Sequence, residues 1–464
     1  VQKVRRWWSL LRDAIAGVPM DFTEGNLSRA VLLLSVPMVL EMAMESLFGI
    51  LDAWWVGRLG PDAVAAVGVT EALLTVVFAL ALGLSLSATA LVARRIGERD
   101  PEAAADTAVQ AIVVGVLVAV PSGVAGLVWA KDLLGLMGAP RSVVEVGWGY
   151  TAWMLGGNAT ILLLFLINAI FRGAGDASLA MRSLWLANAV NIVLDPCLIF
   201  GLGPFPELGV TGAAIGTTLG RGVGVAYQVR ALLRRGGRIE LQRRHLRLHP
   251  GTMLRLLRVS LGGILQFLIA TASWLGLLRL LTPFGAAAIA GYTIAIRIVI
   301  VTILPSWGMS NAAATLVGQN LGAGKPDRAQ RSVWLTGIYN MVFLAGVAVV
   351  FIVFAEPLVG FFTSDPAVVE LGASCLRILS YGYGFYAWGM VIVQAFNGAG
   401  DTTTPTWVNF FCYWLFQIPL AFGLTRGLGM GPEGVFAAIT AAESLLAVAG
   451  VICFRRGRWK TQAV

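Results

Sequence analysis

A chain of 464 residues that is 57% hydrophobic and only 13% Asp, Glu, Lys and Arg cannot coat a water-soluble globule with polar surface, since soluble domains carry roughly 25% charged residues. A bilayer supplies the missing solvent, because a helix of ~20 apolar residues crosses it with its backbone hydrogen bonds satisfied internally. The net charge of +9 does not indicate nucleic acid: nine arginines and one glutamate fall between Arg230 and Arg258, in a short connector between two apolar spans, and basic loops of that kind mark the cytoplasmic side of a membrane.

The chain opens with a basic, tryptophan-containing leader, residues 1–27, that includes Arg5-Arg6-Trp7-Trp8. It lacks the continuous apolar stretch and small-residue cleavage site of a signal peptide, so it reads as a cytoplasmic amphipathic segment at the membrane surface. Apolar runs between charge or Pro/Gly clusters then predict twelve helices, near 29–55, 65–93, 105–130, 142–170, 177–201 and 210–234, and near 252–282, 288–317, 329–355, 367–395, 403–425 and 434–455. The expected organisation is an N-terminal lobe (28–234), a basic cytoplasmic connector (235–251), a C-terminal lobe (252–455) and a cytoplasmic tail (456–464). Loops on the side of the termini carry Arg94, Arg95, Arg99, Arg172, the 230–258 cluster, Lys325, Arg328 and Arg331, whereas the opposite loops are mixed in charge. That asymmetry places both termini in the cytoplasm of a multi-pass inner-membrane protein.

Shifting the sequence by 225 residues brings the halves into register without a gap. Phe171-Arg-Gly-Ala-Gly-Asp176 meets Phe396-Asn-Gly-Ala-Gly-Asp401, Leu91-Val92 with Gly97 and Pro101 meets Leu316-Val317 with Gly322 and Pro326, and Val143-Val144-Glu145 meets Val368-Val369-Glu370. A unit of six spans enters the membrane from the same side in both copies, so the copies are related by an axis along the membrane normal with a cleft between them. The expected fold is therefore an all-α integral membrane protein with two six-helix pseudo-symmetric lobes around a central cleft, a geometry suited to alternating access. The Gly-Ala-Gly-Asp pieces read as turns followed by capping aspartates.

Several chemistries are excluded. Gly318–Lys325 is glycine-rich, but Pro326 follows where a phosphate-binding loop needs Ser or Thr. Both histidines, His245 and His249, lie in the connector, and Cys197, Cys375, Cys412 and Cys453 sit in apolar stretches without CxxC spacing. The motifs of an intramembrane transferase or protease are absent, so no enzyme and no cofactor is expected.

Charged groups inside spans cost at least ~2.5–3.5 kcal/mol each on insertion scales, so each is a functional candidate or a paired structural one. In the first span Glu41, Glu45 and Asp52 share one helical stripe. Asp52 lies late in that outward-running helix, Asn191 and Asp195 late in the fifth, and Thr217 early in the inward-running sixth, so all four reach the outer half of the first lobe. Two carboxylates with an amide and a hydroxyl suit a desolvated sodium ion, or a proton carried by one crowded carboxyl; the alternative is a buried polar network that only fixes packing. At the 225 offset Asp52, Asn191 and Asp195 become Leu277, Phe416 and Leu420, so the second half lacks this cluster. Glu41 and Glu45 either line the cleft with Arg297 and Gln266 and attract cations, or form ion pairs with Arg297 or Arg221. Glu443 in the last span has no evident partner. Phe48, Phe165, Trp274, Tyr292, Trp307 and Trp388 are candidates for stacking on flat cations, or plain packing residues.

Pro37, then Asp52-Ala-Trp-Trp-Val-Gly57-Arg-Leu-Gly60 and Ala63-Val-Ala-Ala-Val-Gly68, resembles the opening of multidrug and toxic compound extrusion (MATE) transporters. Asn191-Ile-Val-Leu-Asp195-Pro196 and Leu316-Val-Gly-Gln-Asn-Leu-Gly-Ala-Gly-Lys-Pro326 resemble further signatures of that family, across about residues 25 to 455. The resemblance implies secondary antiport that exports cationic or amphipathic drugs in exchange for protons or sodium, by a chain expected to act as a monomer in membrane lipid. It also implies a first-lobe cation site at Asp52, Asn191, Asp195 and Thr217 (the metal ligands, if the ion is sodium), with Tyr150 and Asn168 associated and Pro37 as the point where the first helix bends. The absence of Asp or Glu from the seventh span, where Gln266 is the nearest polar group, is similar to the DinF-like branch. A flippase for lipid-linked saccharide or lipid, from the same superfamily, is the alternative; twelve spans and an acidic first helix count against it.

Overall fold

A computed structural model describes residues 2–462 of the chain. The first residue of the leader, the last two of the tail and the side chains of residues 1–7, among them Arg5-Arg6-Trp7, lie outside what is described. The described chain is all helical, without a β-strand. After α1 (Gln2–Ala16), the first lobe comprises α2 (Leu27–Gly57), α3 (Pro61–Gly97), α4 (Pro101–Val128), the short α5 (Ala130–Leu136), α6 (Arg141–Gly156), α7 (Asn158–Ala174), α8 (Ala177–Phe200) and α9 (Val210–Leu233). The second holds α10 (Pro250–Leu281), α11 (Ala286–Gly322), α12 (Pro326–Gly360), α13 (Pro366–Tyr381), α14 (Tyr383–Ala399), α15 (Thr403–Phe410), α16 (Ile418–Phe422) and α17 (Pro432–Arg455). Among the described residues, nine helical segments are long and apolar enough to cross a membrane singly, and α6 with α7 makes a tenth with a 40° bend. The arginine-bearing α9 and the α13–α14 pair complete twelve spans.

The local chemistry explains most of the boundaries. Pro stands at the start of α3, α4, α10, α12, α13 and α17, where its missing N–H costs nothing. The two Gly-Ala-Gly-Asp segments are turns: Gly175 and Gly400 take φ of 83° and 84°, and the carboxylates of Asp176 and Asp401 accept from the backbone N–H groups of Leu179 and Thr404. The fourth and tenth spans are each interrupted at a single residue, Gly157 and Gly382, again 225 positions apart. One difference between halves is local: residues Phe411–Gln417 and Gly423–Gly427 wind as π-helix, whereas α8, the counterpart of that span, is α-helical throughout.

The two lobes have separate apolar cores, the larger in the first lobe, around Leu84, Leu162, Leu166 and Ile170, and another in the second, around Tyr292, Leu344, Leu376 and Phe436. They meet along α2 with α11 and α3 with α10 and α11. Below, the end carrying the connector and both termini is the inner end. Here the seam is closed by backbone contact at paired glycines. Gly97 abuts the Gln319 carbonyl and Gly322 the Arg94 carbonyl; Gly83 abuts Ser260 and Ile264, and Gly308 abuts Met38 and Val39. The contacts Gly97–Gln319 and Gly83–Ile264 reappear, after a shift of 225 residues, as Gly322–Arg94 and Gly308–Val39, so the sequence repeat is a structural two-fold. Hydrogen bonds join the lobes as well, between the Ser87 and Ser260 hydroxyls at 2.8 Å, from the Thr315 hydroxyl to the Arg172 carbonyl and from the Gln319 amide to the Gly173 carbonyl. Toward the outer end, Glu71 and Arg297 are exposed.

A side chain at Gly322 would collide with backbone, and overpacking typically costs about 1–3 kcal/mol. Gly322→Val is therefore expected to loosen the inner seam, so that a thiol placed at the buried Ser87 by Ser87→Cys labels several-fold faster. Unchanged labelling would remove the glycine from the seal.

The leader also spans the seam. The carbonyls of Phe22, Glu24 and Gly25 accept from Arg328, that of Thr23 from Lys325 at 3.0 Å, and that of Met20 from Arg238 at 3.0 Å. Glu24 pairs with Arg99 of the first lobe at 3.1 Å and with Lys325 of the second at 3.6 Å.

Candidate functional site

The i,i+4 spacing of Asn191 and Asp195 on α8 puts both on one face, and that face packs on α9. The Asn191 amide donates to Asp195 Oδ1 and to the Thr217 hydroxyl, each at 3.0 Å. All three residues are buried, Asp195 to 1% exposure. Glycines make the approach possible: a Cβ at Gly216 or Gly220 would strike Asp195 or Asn191. Asp52, half-buried at the outer end of α2, lies within electrostatic range of Asp195. The buried Tyr150 of α6 is in the field of both carboxylates. Asp195 forms no ion pair with Arg or Lys among the described residues, and the Asn191 carbonyl oxygen is buried without a hydrogen-bond partner. The cluster thus offers a carboxylate, an unused amide carbonyl and a hydroxyl side by side, next to a second carboxylate. These are hard oxygen donors that suit a proton or a small alkali cation. No group of three His, Cys, Asp or Glu gathers at metal-binding distance among the described residues.

Asn168 belongs elsewhere. Deeper in the lobe its amide donates to Glu41 Oε1 at 3.0 Å, and its carbonyl accepts from Ser183 and Gln228 at 2.7 and 2.6 Å. The centre of that network is an ion pair between Glu41 and Arg172 at 2.7 Å, with side-chain exposures of 1% and 9%. Arg172, counted from sequence among the inner basic loop residues, is in fact buried in α7. Glu45 receives a hydrogen bond from Asn188 at 3.0 Å and faces Arg221 at 3.9 Å. The paired reading of Glu41 and Glu45 therefore describes the geometry, with Arg172 and Arg221 as partners. Arg297 pairs with neither; it lies exposed on α11, within electrostatic range of Glu71 on α3. Gln266 is buried and donates to Asn397 at 3.0 Å and to the Thr402 carbonyl at 3.1 Å.

These positions obey the repeat. Glu41 plus 225 is Gln266 and Arg172 plus 225 is Asn397, so the ion pair of the first lobe is an amide pair in the second. Glu45 and Arg221 correspond to Ala270 and Leu446. Sequence reasoning missed Arg172, Gln228 and Glu71 as members of these networks. The offset held a signal for the first, because position 172 and position 397 differ in charge within an otherwise matching motif. Pro37 is buried, and α2 runs helically through it from Leu27 to Gly57. Of the stacking candidates, Tyr292 is packed parallel to Phe436, Trp388 against Trp334, Phe165 against Phe78, and Phe48 is buried beside Arg221. Trp307 lines a cavity, and Trp274 is exposed.

The MatE family model matches residues 37–197 and 260–422, once in each lobe. Over 446 residues the chain is 27% identical to the probable multidrug resistance protein NorM of Thermotoga maritima, covering 95% of this chain and 94% of that one. It is 24% identical over 428 residues to the FAD transporter of Shewanella oneidensis, covering 92% and 94% of the two chains. A solved structure, the outward-facing conformation of a multidrug resistance MATE family transporter, superposes with a TM-score of 0.89 at 27% identity, over 95% of this chain and 98% of that one.

Proposed function

The chain belongs to the MatE family and is a multi-pass membrane transporter, not an enzyme; from that premise we propose that it is a secondary antiporter exporting cationic or amphipathic drugs in exchange for inward-moving protons or sodium ions. The observation that carries the reading is the Asn191–Asp195–Thr217 cluster with Asp52 beside it, held in one lobe only. A buried carboxylate without a counter-ion is costly. Arrival of a positive species from the outer cleft removes that cost, so occupancy shifts the balance between conformations by the difference in affinity. The drug leaves outward as the ion binds; release of the ion inward resets the cleft. Pro37, which withholds one backbone donor from α2, is the point at which that helix yields most readily. The basic residues of the inner end support its placement in the cytoplasm, with the protein in the plasma membrane and acting as a monomer.

The flippase alternative is not favoured, because the relatives include multidrug resistance and multidrug export proteins. The name of the Shewanella relative keeps a large organic anion within the superfamily's range, but the acidic cluster here suits exchange against a cation.

Proteoliposomes loaded with ethidium provide the test. An inward proton or sodium gradient imposed by dilution is expected to accelerate ethidium extrusion several-fold over vesicles without a gradient, and the gradient that does so identifies the ion. Equal rates with and without both gradients would refute antiport.

A further inference from the structure

In the second lobe the counterparts of Glu41, Arg172 and Arg221, which are Gln266, Asn397 and Leu446, line a cavity. Leu446, which stands where the first lobe has Arg221, lines a space of about 200 Å³, against the roughly 10–15 Å³ that one water needs on the same measure. Its walls include Gln266, Phe267, Trp307, Tyr386, Tyr413 and Glu443, with Leu82 and Leu86 contributed by the first lobe. Leu82, Leu86, Trp307 and Asn397 also line a smaller cavity between the lobes, so the space continues into the cleft.

Glu443 is the one carboxylate of this cavity. It is 8% exposed on α17, accepts a hydrogen bond from the Tyr413 hydroxyl at 3.0 Å, and belongs to no ion pair among the described residues. A second polar atom is likewise unused: the side-chain carbonyl oxygen of Asn409, another wall residue, is buried without a partner. Tyr413 reaches Glu443 from the π-helical turn Phe411–Gln417, a device absent from the first lobe, and π-turns recur at functional sites. The first lobe places an arginine beside its buried glutamates; the second leaves its glutamate facing an aromatic-walled space with no cation. Negative charge, an unused carbonyl and ring faces together select a lipophilic cation over an anion or a neutral solute.

We propose that this second-lobe cavity binds the positively charged head of a lipophilic organic cation, with the Glu443 carboxylate as counter-ion and the rings of Trp307, Tyr386 and Tyr413 as walls. The site rests on the antiporter reading: it separates the cargo, held in the second lobe, from the coupling ion, held in the first.

Equilibrium binding of ethidium to the purified full chain, followed by fluorescence anisotropy, tests the site. Glu443→Gln is expected to weaken binding by about tenfold or more, the loss of a charge-assisted contact, with the thermal unfolding midpoint not lowered. Wild-type affinity in that variant overturns the proposal. A measurement on the unaltered protein guards against misfolding: ethidium should protect Glu443 from a hydrophobic carbodiimide, read by mass spectrometry of the α17 peptide, and modification that ethidium does not slow overturns it equally. Gradient-driven efflux with ethidium affinity indifferent to Glu443 would remove this site and leave antiport standing. Ethidium binding that depends on Glu443 in a protein showing no gradient-driven flux would support the site and remove antiport alone.

Discussion

Asp195→Asn is expected to leave the protein folded and to reduce gradient-driven extrusion severely. The substitution preserves shape and removes a negative charge that is 1% exposed and unpaired by any Arg or Lys among the described residues, so the cost of burying that charge disappears with it. Thermal stability should hold or rise. What is lost is the ability of a positive species to distinguish two conformations. Couplings between ligands are worth about 1–3 kcal/mol, or roughly 5–150-fold, and the gradient-dependent part of ethidium efflux should fall within that range. Asp52→Asn should act in the same direction but less strongly, because Asp52 is only half-buried and has no direct bond to Asn191 or Thr217. Proteoliposome flux with imposed gradients measures both. Normal gradient-driven efflux by Asp195→Asn would remove this residue from the coupling step.

Arg172→Met should have the opposite signature. Glu41 is fully buried and its Oε2 already lacks a partner, so its Oε1 depends on Arg172 and Asn168. Breaking a buried pair by deleting one partner costs about 3–5 kcal/mol, because the remaining charge stays desolvated. The unfolding midpoint should drop by many degrees, or expression should fail. The protein itself suggests the rescue, since the second lobe holds Gln266 and Asn397 at the equivalent positions. The double variant Glu41→Gln with Arg172→Asn should recover most of the lost stability. A single Arg172→Met variant as stable as the wild type, or a double variant no better than the single, would show that the pair is not what holds this region.

The helices were legible because a span of apolar residues between prolines and charges has few other readings, and the observed limits of α8, Ala177–Phe200, fall within a residue of expectation. The repeat was legible from glycines, and the paired contacts of Gly97 and Gly322 explain why those positions recur. That Asn191, Asp195 and Thr217 share one height followed from helix direction and depth, and the family resemblance pointed to them as one set. The breaks at Gly157 and Gly382 were not legible, because hydropathy averages over a single non-helical residue. Neither was the partner of Glu41. Arg172 is 131 positions away, close to a basic inner turn, and counting loop charge assigned it to the surface. Glu443 was noticed without explanation, because its setting depends on a π-turn that no periodicity announces.

The strap formed by Met20–Gly25 has a mechanical implication. Its carbonyls and Glu24 engage Arg99 on one lobe and Lys325 and Arg328 on the other, at the end where the seam is shut. A rigid-body swing that parts the inner ends must first unfasten this peptide from at least one side. The leader is therefore placed as a clasp across the seam, and because its ion pairs are between exposed charges their grip is expected to slacken as ionic strength rises.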